Sequence, residues 1–399
     1  VGKTRLLEVI ATQDIHNGNV VIVFDPKGDG DLLARLYTEA KRAGRDGQFQ
    51  VFHLGFPDQS VSYNPVGSYS RITEVATRIA GQLPNEGNSA AFREFAWRYV
   101  NVIAKALDDM SEPINYQNLL DSGSDIDGLL TRYLAYVAAE AGLEGWTRRV
   151  EAIVLSDAKL PPQLKGRDRA AWASVECYRE LALESQTANS LIKTFEHDKS
   201  HFDKLVASLF PLLEKLTSGP AAQLLSPSDE ETAAGNRLNW GQVIKRGGIV
   251  YVGLDALSDP DVASAVGNAM FADLTSVAGS LYKERQTGGT APKISVHADE
   301  FNELVGREFV PLANKAGGAG FQLTAYTQTL SDIVARFDSQ ARAGQVVGNL
   351  GTLIMLRVKE RATAELLTTR LKDVEINHLM LESGTTDSSN PETDIHFVS

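Results

Sequence analysis

The sequence predicts an α/β protein built on a mainly parallel sheet and interrupted by an all-α domain, and three observations carry that prediction. Val1-Gly2-Lys3-Thr4 has the form of the closing half of a phosphate-binding loop, G-x-x-x-x-G-K-[ST]. Two apolar, β-rich segments run into acids, at Asp25 and at Asp299-Glu300, as strands buried on both faces of a parallel sheet do. Between them, from about 88 to 235, apolar residues recur at three- and four-residue spacing with little strand signal.

Taken in order, Arg5-Leu6-Leu7-Glu8-Val9-Ile10-Ala11 is a helix-forming run placed where a phosphate loop opens a helix N-terminus. Residues 20–25, Val-Val-Ile-Val-Phe-Asp, read as a buried strand, residues 31–43 as a helix and 48–54 as a second strand, giving a βαβ unit. The helical block shows its clearest periodicity over 90–108, 126–141 and 190–216. Ser226-Pro227-Ser228-Asp229 with Gly235-Asn236 marks a loop-rich exit. Strand patterns resume at 248–254, 293–298, 321–327 and 352–358, with helices between them. The tail from Gly384 is rich in Ser, Thr and Asn and is expected to be poorly ordered, with 395–398 able to add a short strand. The expected division is a nucleotide-binding domain in two parts, 1–87 and 236–399, around a helical insertion at 88–235.

Composition narrows the class. With 399 residues, 43% of them hydrophobic and 23% charged, the chain has room for two ordinary soluble domains. A formal net charge of -12 argues against a general basic coat for nucleic acid, although it leaves room for DNA held in a local channel. Cys177 is the only cysteine, so neither a disulfide nor a thiolate zinc site is built within one chain, and a reducing, cytoplasmic setting fits. No apolar run approaches the roughly 18–20 residues that span a bilayer. Because the chain opens inside a motif it reads as a fragment, with the loop glycines and any membrane anchor expected on preceding segments.

The residues that carry chemistry follow from the loop. Gly2, Lys3, Thr4 and Arg5 are the candidate nucleotide-binding residues at its close. In a complete loop the lysine reaches the β- and γ-phosphates and the hydroxyl ligates Mg²⁺. A strand ending in two acids is the usual partner: Asp299 would hold Mg²⁺, directly or through water, and Glu300 would polarise the attacking water. An N-cap followed by a solvated acid is the plainer alternative. Asp25-Pro26-Lys27-Gly28-Asp29 is a turn by composition, yet it lies at the C-terminal edge of a parallel sheet, which makes Asp25 and Lys27 site candidates. Gln328, just past the strand after the acidic pair, is placed to sense the γ-phosphate or to cap the next helix. His197 and His201 stand one helical turn apart but have no evident third ligand, so they read as a solvated helix face. The basic residues of the helical block, Arg132, Arg148, Arg149, Lys165, Arg167, Arg169, Lys193, Lys199 and Lys204, read mostly as solvent-facing. Trp97, Tyr133 and Trp146 read as core.

In this order the motifs resemble a known family. Gly2-Lys3-Thr4, the Asp25-Pro26-Lys27-Gly28-Asp29 turn, Ser62-Tyr63-Asn64-Pro65, a helical insert, Ile249-Val250-Tyr251-Val252, Asp299-Glu300-Phe301, Gln328 and the helical run 361–371 are similar to the TraD/TraG-type coupling proteins of conjugation, most of all the TraD branch of integrative conjugative elements. The resemblance spans nearly the whole chain. It implies a RecA-like P-loop ATPase, using ATP and Mg²⁺, that is hexameric on the bacterial inner membrane. Such a protein brings DNA with its bound relaxase to the ATPases and membrane components of a type IV secretion channel and pumps the DNA. Gln328 would then link hydrolysis to movement. A basic finger from a neighbouring subunit is also implied, with Lys315, Arg336, Arg342 and Arg357 as alternatives. Taken alone, the fragment is expected to be a monomer. Rival readings are an FtsK- or HerA-like DNA translocase, against which the size of the insert counts, and a recruiting scaffold that does not hydrolyse nucleotide.

Overall fold

β-Branched and aromatic residues in unbroken runs need cover on both sides, and the sheet supplies it. In the computed structural model the described residues are 2–83, 89–197, 206–227, 237–286, 292–304, 306, 309–337, 339–369, 378–383 and 393–398. Strands β1 (Val20–Asp25), β2 (Phe49–His53), β3 (Ile249–Gly253), β4 (Ile294–Ala298) and β5 (Phe321–Ala325) form one sheet in the order β2-β3-β1-β4-β5. All its pairings are parallel, and β1 sits at the centre with Val21 opposite Ile249 on one side and Ser295 on the other. Every residue of β1, β3 and β4 is buried.

One face is covered by two helices. Leu7, Ala11 and Ile15 of α1 (Lys3–His16) and Leu32, Leu36 and Ala40 of α2 (Gly30–Arg42) pack on Val21, Val23, Ile249 and Tyr251. Val20, Ile22, Phe24, Val250 and Val252 point the other way, into a core shared with the long helix Pro260–Gln286 and the helical block. Phe24 meets Phe271 of that helix with ring centroids 4.5 Å apart. Burying side chains of this size contributes roughly 1.5–3 kcal/mol each, which fixes the register that sets the sheet's edge.

After α3 (Thr73–Ala80), the block expected to be helical at 88–235 contains α4 (Ser89–Asp109), α5 (Tyr116–Ser124), α6 (Ile126–Glu140), α7 (Trp146–Leu155), α8 (Arg169–Glu180) and α9 (Gln186–Phe195), and helices Leu209–Leu216 and Gly219–Leu225. Asn115, Asp125, Asp168 and Ser185 begin α5, α6, α8 and α9 by accepting hydrogen bonds from backbone N–H groups two or three residues on. Tyr133 and Trp146 are buried, and Trp97 donates its indole N–H to Thr77 at 3.1 Å. Arg148, Arg149, Lys165 and Lys193 are exposed as expected. Arg167 departs from that expectation: it is buried, 3.1 Å from Asp127, and donates to the carbonyl of His197. Lys199, Lys204 and His201 lie outside the described residues, as do most of the exit loop and residues 384–392 of the tail.

The expected strand at 352–358 does not form. Residues 351–360 carry no strand, and Leu353, Ile354 and Leu356 are exposed. The run has the composition of a strand, but β-propensity is realised only against a paired neighbour, and among the described residues β5 pairs only with β4. At the tail, β7 (Thr393–Val398) does form, antiparallel to β6 (His378–Ser383) with Ile395 opposite Leu381. Among the described residues, no helix is long and apolar enough to cross a membrane.

A buried polar chain ties α1 to the sheet. The ring of His297, 1% exposed, lies between the carboxylate of Asp14 at 3.1 Å and the hydroxyl of Tyr326 at 3.2 Å. Burial raises the Asp14 carboxyl, but hydrogen bonding and charge from His297 outweigh it, leaving the group below its ordinary value. Asp14→Ala removes the acceptor for a buried ring nitrogen and is expected to cost about 1–3 kcal/mol at neutral pH in urea unfolding. A depressed carboxyl stabilises above its unfolded value and loses that contribution as pH falls through the folded value. The gap between wild type and variant is therefore expected to close below about pH 4.

Candidate active site

Helix α1 opens at the C-terminal edge of the sheet. Gly2 caps it at φ 95° with no side chain to satisfy the first N–H groups, a left-handed conformation that glycine adopts without penalty. The first turn of a helix leaves its N–H groups without intrahelical acceptors, so this end is suited to an anion. Lys3 and Thr4 stand in that turn. Arg5, by contrast, is directed along the helix surface, where its guanidinium pairs with Glu8 at 2.7 Å.

β4 delivers the acidic pair to the same edge. Asp299 is 6% exposed, and its carboxylate accepts the Glu300 N–H at 3.0 Å. Glu300 has φ 38°, a left-handed conformation that costs a non-glycine residue roughly 1–2 kcal/mol and that turns its side chain back over the sheet edge. Its carboxylate collects donors from three other elements. Lys3 Nζ of α1 reaches Oε2 at 2.9 Å, Lys27 Nζ from the turn after β1 reaches Oε1 at 2.6 Å, and the Gln328 amide from beyond β5 donates at 3.3 and 3.4 Å.

Neighbouring carboxyls are driven apart by these surroundings. Burial raises Asp299, and the adjacent Glu300 charge adds to it, while the backbone N–H of Glu300 and Lys3 oppose. Burial also acts upward on Glu300, but the hydrogen bonds from Lys27 and Lys3 prevail and hold it below the usual glutamate value. Glu303 is raised by burial and by Glu300. Lys27 is raised, chiefly by its bond to Glu300. Two adjacent acids held at different protonation tendencies suit a divided task, with Glu300 kept ionised to accept a proton. Asp299 at the strand tip and the Thr4 hydroxyl are oxygen donors of the kind Mg²⁺ takes.

Asp25 has a role the sequence did not disclose. Its carboxylate accepts the N–H of Lys27 at 3.0 Å, the N–H of Asp29 at 2.7 Å and the hydroxyl of Tyr251 at 2.7 Å. It closes the turn that carries Lys27, and Lys27 rather than Asp25 reaches the other site residues. Tyr251 and His53 support the turn from below. A Cβ on Gly28, at φ 68°, would stand 2.5 Å from His53 Nε2, so this position requires glycine twice over. The strand pattern at 248–254 placed Tyr251 in the sheet, but nothing in sequence linked its hydroxyl to Asp25. Among the finger alternatives, Arg342 and Arg357 are exposed, Arg336 donates to Ser264 at 2.5 Å, and the Lys315 side chain lies outside the described residues.

The parallel sheet, the helix N-terminus at its C-terminal edge and the gathered acids and lysines make an α/β domain with a candidate anion- and cation-binding edge. Residues 293–395 match the family model TraG-D_C, described as the TraM recognition site of TraD and TraG. No curated protein matches the chain. Among solved structures, the unbound monoclinic form of the bacterial conjugative coupling protein TrwBdeltaN70 is similar at 12% identity, over 96% of this chain and 79% of that one, with a TM-score of 0.47. The plasmid coupling protein TrwB in complex with ADP and Mg²⁺ is similar at 10% identity, over 85% and 69%, with a TM-score of 0.43. TrwB with an ATP analogue, ADPNP, is similar at 11% identity, over 84% and 70%, with a TM-score of 0.43.

Proposed function

We propose that this chain is the nucleotide-driven part of a conjugative coupling protein, which recruits a relaxase–DNA complex to a type IV secretion channel and moves the DNA by hydrolysing ATP. The observation that carries the reading is the Glu300 carboxylate, which meets Lys3, Lys27 and Gln328 beside Asp299 at the sheet edge. Lys3 binds the β- and γ-phosphates, and Thr4 and Asp299 would hold Mg²⁺, which when bound would supply charge neutralisation. Glu300 orients and deprotonates the attacking water, and Gln328 reports the occupancy of the site to β5 and the helix after it. The match of residues 293–395 to the TraM recognition site supports a relaxosome protein as a partner of that part of the chain.

In this reading the helical block 88–235 is an insertion that receives cargo, and the surrounding parts 1–87 and 236–399 form the nucleotide-binding domain. The full-length protein works as a hexamer anchored in the inner membrane, with this part in the cytoplasm and one of Lys315, Arg336, Arg342 and Arg357 reaching a neighbouring subunit's phosphates. Pore-lining charge coexists with an acidic exterior because screening over about 8–10 Å separates the two fields.

ATP turnover of the full-length protein, assayed with and without single- and double-stranded DNA, tests the reading. DNA is expected to stimulate turnover, and Lys3→Ala is expected to lose nucleotide binding as well as turnover. Absence of turnover at concentrations that allow oligomers to form would favour the recruiting scaffold instead.

A further inference from the structure

Glu300 is held by two lysines from different elements, and Lys3 is the one that stands in the first turn of α1. Lys3 bonds Oε2 from the helix that faces the phosphates, whereas Lys27 bonds Oε1 from a different element at the shorter distance of 2.6 Å. The turn bearing Lys27 is fixed independently of any ligand. Asp25 ties down the N–H groups of Lys27 and Asp29, Tyr251 bonds both the Asp25 carboxylate and the Asp29 carbonyl, and Gly28 rests on the His53 ring. The turn fixes where this lysine side chain begins, and Glu300 is the partner its ammonium meets. The strained φ of 38° at Glu300 brings the carboxylate to meet it.

We propose that Lys27 is the positioning residue for Glu300: it grips Oε1 so that Oε2 is presented to the attacking water when Lys3 leaves it for the phosphates. This rests on the ATPase reading above. During turnover the water oxygen bonds to the γ-phosphorus and the bond from that phosphorus to the ADP oxygen breaks. One water proton passes to Oε2, and ADP and inorganic phosphate leave. Without Lys27, the departure of Lys3 would free the carboxylate to rotate, with only the longer Gln328 contacts to restrain it. Misplacement of a reacting group by about 1 Å costs on the order of 100-fold in rate.

The test compares wild type, Lys27→Met and Lys27→Arg in the full-length protein, measuring steady-state Mg·ATP hydrolysis, ADP affinity and thermal unfolding. Lys27→Met is expected to lower kcat about 10- to 100-fold, with KM and ADP affinity within about 3-fold of wild type, and Lys27→Arg is expected to recover most of the loss. A Lys27→Met protein with wild-type kcat would overturn the assignment. So would a rise in KM and ADP dissociation constant at unchanged kcat, which would make Lys27 a phosphate ligand. A kcat loss that tracks a lowered unfolding temperature and that Lys27→Arg does not repair would also overturn it. Failure of the ATPase reading itself is seen separately, in a wild-type protein that shows no turnover, and the assignment falls with it.

Discussion

Glu300→Gln is expected to lower ATP turnover by about 10²- to 10⁴-fold while nucleotide binding persists. The substitution keeps the shape and one carbonyl oxygen, so a bond from Lys27 or Lys3 survives, but the amide cannot take a proton from water. The carboxylate pairs with Lys3 at 2.9 Å, which sets it in competition with phosphates for that ammonium. Removing the charge ends the competition, and ATP is therefore expected to bind at least as tightly as to wild type. Equilibrium binding of a fluorescent ATP analogue and single-turnover hydrolysis separate the two effects. A variant that binds poorly would place Glu300 among the structural supports of Lys3. A variant that hydrolyses at the wild-type rate would remove it from the chemistry and, if DNA transfer also continued, would favour the scaffold. Because Lys27 and Lys3 hold Glu300 below its usual value, the wild-type carboxylate is ionised across neutral pH, so the loss in the variant is expected to be uniform from pH 6 to 8.

The central strands were legible because burial on both faces leaves a continuous apolar run, and β1, with both its neighbours in the sheet, has that pattern. Asp299, Glu300 and Gln328 were legible for the same reason: once a strand is found, the residue past its C-terminal end is at the edge where ligands of such sheets bind. The segment 352–358 shows the limit of that reasoning. Its residues favour an extended chain, but pairing depends on which edge is offered, and composition does not encode that. Side-chain partners were legible least of all. Lys27 meets Glu300 across 273 positions and His297 meets Asp14 across 283, contacts created only when the sheet order brings β1, β4 and α1 together. For Asp25 the position was legible and its partners were not, because they are backbone N–H groups in its own turn and a tyrosine on β3.

Asp25→Ala is the substitution expected to cost most in stability. Of the three donors on this carboxylate, the Tyr251 hydroxyl can turn to the Asp29 carbonyl, already 3.1 Å away, but the N–H groups of Lys27 and Asp29 lose their bonds. Leaving two such groups unmet in a turn at the sheet edge is expected to cost roughly 2–4 kcal/mol in urea unfolding without Mg²⁺. Asp25→Asn keeps one carbonyl oxygen and so one of the two bonds, and about half the cost is expected. Activity should fall with the turn, since Lys27 is aimed at Glu300 only while Asp25 holds its backbone. A metal ligand would behave in the opposite way. Removing a buried acid near Asp299 would leave the metal-free protein as stable as before or more so, and the loss would appear in Mg²⁺ affinity. Urea midpoints of the three proteins, each with and without Mg·ADP, therefore decide between hub and ligand, and an Asp25→Ala protein of wild-type stability without Mg²⁺ would dismiss the hub.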